Sequence, residues 1–173
     1  MPGYDLWGAE ERKELQDVLD NGILMRYGFD GPRKGIWKSR ELEKEIRETF
    51  GCQFAQLVSS GTAALTTALS ALGIGYGDEV IMPAFTFVAS FEAVISVGAI
   101  PVLVDVDDTL TLSPEAVQKA ITGKTKCIMP VHMCGSMADM DALQEICKQH
   151  KLLLLEDACQ SIGGTYKGKK LGT

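Results

Sequence analysis

Apolar positions along this chain switch repeatedly between a helical and a strand period, and the switching predicts the fold. Over residues 10–19, Leu15, Val18 and Leu19 recur at helical spacing behind Glu10 and Glu11, which predicts a helix with acids in its first turn. Residues 21–38 break the pattern with four glycines, a proline, aromatics and cations, and read as a long ordered loop. Ser39 is placed to cap a second helix, with Leu42, Ile46 and Phe50 facing inward and Gly51 as its stop. From there the elements alternate. Strands are expected at 55–58, 79–82, 102–105, 126–131 and 152–156. Helices are expected at 62–72, 86–97 and 139–150, with another opened by Ser113-Pro114-Glu115. Such alternation implies an α/β fold with a largely parallel sheet covered by helices on both faces. Residues 1–50 form an N-terminal part of helices and loop, and residues 51–173 the main domain.

Composition narrows the class. The chain has 173 residues, of which 46% are hydrophobic and 23% charged, as in soluble globular domains with one core. A net charge of −6 without a basic tail argues against a general nucleic-acid partner, though a local basic patch for an acidic small molecule remains open. Five cysteines, an odd number with no Cys-x-x-Cys pair, read as reduced thiols of a cytoplasmic protein. The N-terminus has no secretory pattern. The weakly polar run 94–104 is too short to cross a bilayer, so no membrane partner is expected. His132-x-Cys134 and Cys147-x-x-His150 match no common zinc spacing, and no metal is expected.

Three turns can carry chemistry, and each follows an expected strand, where open α/β sheets bind ligands. Ser59-Ser60-Gly61-Thr62-Ala63 enters a helix and offers backbone N–H groups to a phosphate, or is simply a capped tight turn. In Pro83-Ala84-Phe85-Thr86-Phe87, an aromatic can stack on a flat ring or serve the core. Glu156-Asp157-Ala158-Cys159-Gln160-Ser161 brings a carboxylate off a buried strand, either as a helix cap or as partner to a protonated pyridine nitrogen. Gln160 adds an amide for a neighbouring ring oxygen. Phosphate cradle, ring stacker and pyridinium partner together describe a pyridoxal 5'-phosphate (PLP) site.

The stretches Ser60-Gly61-Thr62-Ala63-Ala64-Leu65, Gly77-Asp78-Glu79-Val80-Ile81, Pro83 to Ser90, Gly98-Ala99-Ile100-Pro101-Val102, Val131-His132-Met133-Cys134-Gly135 and Glu156-Asp157-Ala158-Cys159-Gln160 resemble the DegT/DnrJ/StrS-type sugar aminotransferases, PLP enzymes of fold type I. The resemblance implies the N-terminal part of that fold's large domain. It implies that Gly61, Thr62 and Ala63 hold the phosphate, Phe87 stacks on the ring, Asp157 pairs with its nitrogen and Gln160 bonds its hydroxyl. It also implies a homodimer and a glutamate donor. In this family the Schiff-base lysine lies some way beyond the Gly-Thr pair that corresponds to Gly172-Thr173, so the resemblance implies a catalytic lysine beyond Thr173 and none within the chain. Lys167, Lys169 and Lys170 match a surface hairpin instead, so the turn-rich segment 163–173 is read as the end of a fragment. Relatives with histidine at the lysine position dehydrate sugars, and a non-catalytic binding relative is a third reading.

The loop Arg26 to Arg40, with Val131-His132-Met133-Cys134-Gly135-Ser136-Met137, resembles the branch that makes 8-amino-3,8-dideoxy-manno-octulosonate, an aminated sugar acid of lipopolysaccharide. That implies the keto-sugar acid 8-dehydro-3-deoxy-manno-octulosonate as substrate, with Arg26, Arg33, Lys34, Trp37 and His132 as candidates to meet it. Arginine suits such a carboxylate because it can bind both oxygens. The alternative is a solvated loop whose cations have no partner.

Overall fold

The computed structural model describes residues 2–173, which form two compact units, one up to Leu57 and one from Val58 onward.

In the first unit, a short 3-10 turn precedes helix α1 (Ala9–Asn21). Glu11 accepts the Gly8 N–H at 2.7 Å, which anchors its start. Gly22 ends it in the left-handed region, φ 71°, which costs glycine least. The expected apolar stripe exists, but Leu15 and Leu19 are exposed. The long loop contains a short helix α2 (Asp30–Arg33) and leads into α3 (Lys38–Phe50). Ser39 does not cap α3. The cap position is Trp37, which makes no side-chain cap bond and whose own N–H is taken by Glu41 Oε1 at 3.1 Å. Gly51 stops the helix as expected, while Leu42 faces solvent.

The expected strand at 55–58 does not form. No neighbouring strand pairs with it among the described residues, and the Leu57 N–H is satisfied by Glu43 Oε1 at 2.7 Å.

The second unit begins with α4 (Gly61–Ala71) and continues as β1 (Glu79–Pro83), α5 (Val88–Ser96), β2 (Ile100–Val104), α6 (Pro114–Ala120), β3 (Thr125–Ile128), α7 (Met140–His150) and β4 (Leu153–Leu154). The four strands are parallel in the order β2-β1-β3-β4. Successive residues of a strand face opposite sides, and the cores divide accordingly. Val80, Met82 and Cys127 pack with Leu65, Leu69 and Val94 of α4 and α5. Ile81 and Ile128 pack with Val117 and Leu143 of α6 and α7. Near-continuous apolar strands are thus covered on both faces, as an α/β fold requires.

Beyond β4 a parallel bridge joins Val131 to Asp157, so the expected strand ends persist as isolated pairing. A hairpin of β5 (Thr165–Tyr166) and β6 (Lys169–Lys170) follows. Thr173 folds back on it, its Oγ1 donating to the Lys170 carbonyl at 2.6 Å.

Candidate functional site

The first turn is the start of α4. Ser60 caps it, its Oγ accepting the Ala63 N–H at 3.0 Å, and its carbonyl accepts the Ala64 N–H. Among the described residues, the N–H groups of Gly61 and Thr62 bond nothing. They point from a helix N-terminus, where the dipole favours an anion. The Ala63 N–H, expected to share in phosphate binding, is already committed to Ser60.

The second turn leaves β1 and enters α5. Phe87 is the residue just before that helix and is 65% exposed. It is therefore a free aromatic face and no part of the core. One turn on, Ser90 is buried, and its Oγ donates to Asp157 Oδ2 at 2.7 Å.

The third turn is fixed in the sheet. The Asp157 N–H donates to the Pro130 carbonyl at 2.9 Å, and the Asp157 carbonyl accepts the His132 N–H at 3.0 Å. Asp157 is 5% exposed, and its carboxylate accepts two neutral donors, Ser90 Oγ–H and the Cys159 N–H at 3.2 Å. No cation pairs with it among the described residues. A buried carboxylate in that state is costly, and a bound cation relieves it. Gln160 Oε1 accepts the Cys134 N–H at 2.9 Å, so both hydrogens of its amide group are left to donate elsewhere.

These turns meet. A Cβ built on Gly61 would lie 3.5 Å from Cys159 Sγ, so the α4 turn touches the Asp157 loop, while Ser90 ties that loop to α5. Burial and the nearby Asp157 carboxylate push the Cys159 thiol up to about 11.

His132 is fully buried. Its Nδ1 accepts the Ala138 N–H at 3.2 Å and its Nε2 faces Glu156 Oε2 at 3.1 Å, so both ring nitrogens are bonded within the unit. Its carbonyl accepts Ser161 Oγ–H at 2.8 Å. The ring therefore holds the 132–138 loop against the end of the sheet.

The lysines before Thr173 lie in the β5–β6 hairpin. Lys167 is engaged by Asp141, and Lys170 Nζ donates to the Gly163 carbonyl at 2.9 Å. Thr173 itself is exposed, and its hydroxyl is spent on the hairpin.

The basic loop belongs to the first unit. Arg33 is 5% exposed and spends its guanidinium on the Gly28 and Met25 carbonyls while stacking 4.1 Å from the Trp37 ring centre. Arg26 pairs with Glu43 at 2.5 Å. Arg40 stacks on Trp37 at 3.6 Å. Arg26, Arg33, Trp37 and Arg40 line a cavity of about 110 Å³, and Lys34 lies outside that lining on an exposed left-handed turn.

Sequence reasoning missed Ser90, Thr86 and the Cys134 N–H. Only the Thr86–Ser90 spacing, four residues apart in the helix expected over 86–97, carried a signal, although α5 itself starts at Val88.

The profile of the DegT/DnrJ/EryC1/StrS aminotransferase family matches residues 6–173. Among solved structures, S. venezuelae DesV aligns at 40% identity with a TM-score of 0.87, covering 95% of this chain and 42% of its own. A 3-amino-5-hydroxybenzoic acid synthase aligns at 43% identity and 0.88, covering 96% and 42%. E. coli GDP-4-keto-6-deoxy-D-mannose-3-dehydratase with bound hydrated PLP aligns at 30% identity and 0.84, covering 97% and 43%. The chain spans about two fifths of the length of these structures.

Proposed function

The chain belongs to the DegT/DnrJ/EryC1/StrS aminotransferase family, whose structural neighbours carry PLP or its pyridoxamine form, and from that premise we propose that it is the cofactor-binding part of a keto-sugar aminotransferase. The Gly61 and Thr62 N–H groups and the Thr62 hydroxyl take the phosphate, with Ala63 shaping the turn. Phe87 lies on the ring, Asp157 meets the ring nitrogen and Gln160 donates to the ring hydroxyl. When bound, the protonated pyridine withdraws electrons from the carbon bearing the transferred nitrogen. Asp157 keeps that nitrogen protonated, because an opposite charge favours the charged form.

The observation that carries this reading is the buried Asp157 carboxylate, which has two neutral donors and no cation among the described residues, beside a helix N-terminus with two open N–H groups. The engaged hairpin lysines, Lys167 and Lys170, support a Schiff-base lysine supplied from beyond Thr173.

The amino donor is L-glutamate and the acceptor a keto-sugar acid, 8-dehydro-3-deoxy-manno-octulosonate, used for lipopolysaccharide. The enzyme works as a cytoplasmic homodimer. Lys34 and Arg40 have no carboxylate partner among the described residues, which supports a negatively charged acceptor. Arg26, Arg33 and Trp37 shape that loop, while His132, buried with both ring nitrogens bonded, keeps a structural part within the second unit.

A protein of its relatives' length carrying this chain tests the reading. Glutamate should bleach its yellow PLP absorbance, and the keto-sugar acid should restore it with a product that has gained an amino group. Absence of bleaching overturns the proposal. A sugar dehydratase is the second reading, favoured by the likeness to the E. coli dehydratase. A product that has lost a hydroxyl and gained no nitrogen would establish it.

A further inference from the structure

Asp157 is held at its backbone by two sheet-type hydrogen bonds, which leaves its side-chain torsions to fix, the last of them the rotation of the carboxylate. That torsion is broad and two-fold, and one bond does not lock it. The Cys159 N–H holds Oδ1 at 3.2 Å, and Ser90 Oγ holds Oδ2 at 2.7 Å.

The direction of the Ser90 bond follows from proton counting. An ionised carboxylate only accepts, so the single hydroxyl proton of Ser90 goes to Asp157. Ser90 must then accept from its other neighbour, Thr86 Oγ1, at 3.0 Å. The Phe87 carbonyl is a poorer alternative for the Thr86 proton, at 3.4 Å. A directed chain therefore runs from the Thr86 hydroxyl through Ser90 to Asp157. Ser90 is 1% exposed, so water does not replace it. The same turn carries Phe87 between the two hydroxyls, and the Ser90 N–H donates to the Phe87 carbonyl at 3.1 Å. The turn that enters α5 thus sets both the exposed ring and the carboxylate.

We propose that Ser90, oriented by Thr86, is the positioning residue that aims the Asp157 carboxylate at the cofactor's ring nitrogen. This rests on the cofactor reading above. With Ser90 removed, Oδ2 loses its donor inside a dry site and the carboxylate turns away from the nitrogen, whereas the phosphate end at Gly61 and Thr62 is unaffected.

The test compares equilibrium binding of two probes, pyridoxamine 5'-phosphate and its 1-deaza analogue, in which C–H replaces the ring nitrogen. The protein is one of its relatives' length carrying this chain, and thermal unfolding confirms that each variant is folded. The ratio of the two affinities isolates the contact with Asp157. Wild type should favour the nitrogen-bearing probe. Ser90→Ala should reduce that preference roughly tenfold, the scale of one charge-assisted hydrogen bond, with the deaza probe binding as before. Thr86→Val should reduce it about threefold, since it removes only the orienting donor. Ser90→Thr, which keeps the hydroxyl, should restore it. A Ser90→Ala protein that keeps the wild-type preference, or that weakens both probes equally, overturns the proposal. A wild-type protein with no preference overturns the cofactor reading itself, and the proposal with it.

Discussion

His132 Nε2 donates to Glu156 Oε2 at 3.1 Å, and the same oxygen accepts the Gly172 N–H at 3.0 Å. The tautomer follows from the other nitrogen, since Nδ1 accepts from Ala138 and leaves the ring proton on Nε2. Glu156 is thereby the clamp between the sheet end, the 132–138 loop and the close of the hairpin.

That clamp has a pH dependence of known sign. Burial raises the Glu156 carboxyl, but the bonds from His132 and Gly172 outweigh it and hold the group below the ordinary carboxylate value. A group depressed on folding contributes stability above its unfolded pKa and loses it as pH falls through the folded one. Wild type should therefore exceed Glu156→Gln by about 1–2 kcal/mol in urea unfolding above roughly pH 5. The gap should close as pH falls below about 4. An equal gap at both ends of that range would contradict the clamp.

The two faces of the sheet should behave as separate cores. Leu69 and Leu143 are both fully buried, one on each face. Truncating either to alanine should cost about 2–5 kcal/mol. The double variant should lose the sum to within about 0.5 kcal/mol, because the sheet separates the sites. Denaturant titration of the four proteins measures this.

Much of this architecture was legible beforehand. Val80, Ile81 and Met82 read as one apolar run, and the fold sends them alternately to the two cores. Ser60 and Ser113 cap the helices that their positions announced. What failed was non-local. Residues 55–58 have strand composition, but a strand needs a neighbour, and Glu43 takes the Leu57 N–H instead. Ser90 carried no role in the sequence beyond closing the stretch Pro83 to Ser90, since its partner lies 67 positions away. Arg33 looked like a free cation, yet the loop folds around its guanidinium. Periodicity reports which face a residue takes, and it does not report which distant group meets it there.

Cysteine reactivity offers a third check. Burial pushes the Cys127 and Cys147 thiols up to about 12 and about 11. Cys134 is exposed, whereas Cys159 is exposed but also raised to about 11. Iodoacetamide near pH 8 should label Cys134 first, Cys159 slowly, and Cys127 and Cys147 only after denaturation, as mass spectrometry would read. Prompt labelling of Cys127 in the folded protein would contradict the packing.

In the first unit, arginine and lysine should not be interchangeable at position 33. Arg33 bridges two carbonyls and stacks on Trp37, which a lysine cannot do together. Arg33→Lys should destabilise that unit by about 1–3 kcal/mol. Arg40→Ala, which loses only an exposed stack, should cost no more than about 1 kcal/mol. Equal effects in thermal unfolding would refute the distinction.

The affinity for pyridoxal 5'-phosphate before and after Asp157→Ala bears most directly on the site as a whole. In the proposed site Asp157 is the buried carboxylate that meets the ring nitrogen, and a charge-assisted contact there should make binding at least about tenfold tighter. The expected result is that loss of affinity with the thermal midpoint of the fold retained. Unchanged affinity in the folded variant would mean that Asp157 meets no pyridinium and that these three turns serve some other ligand.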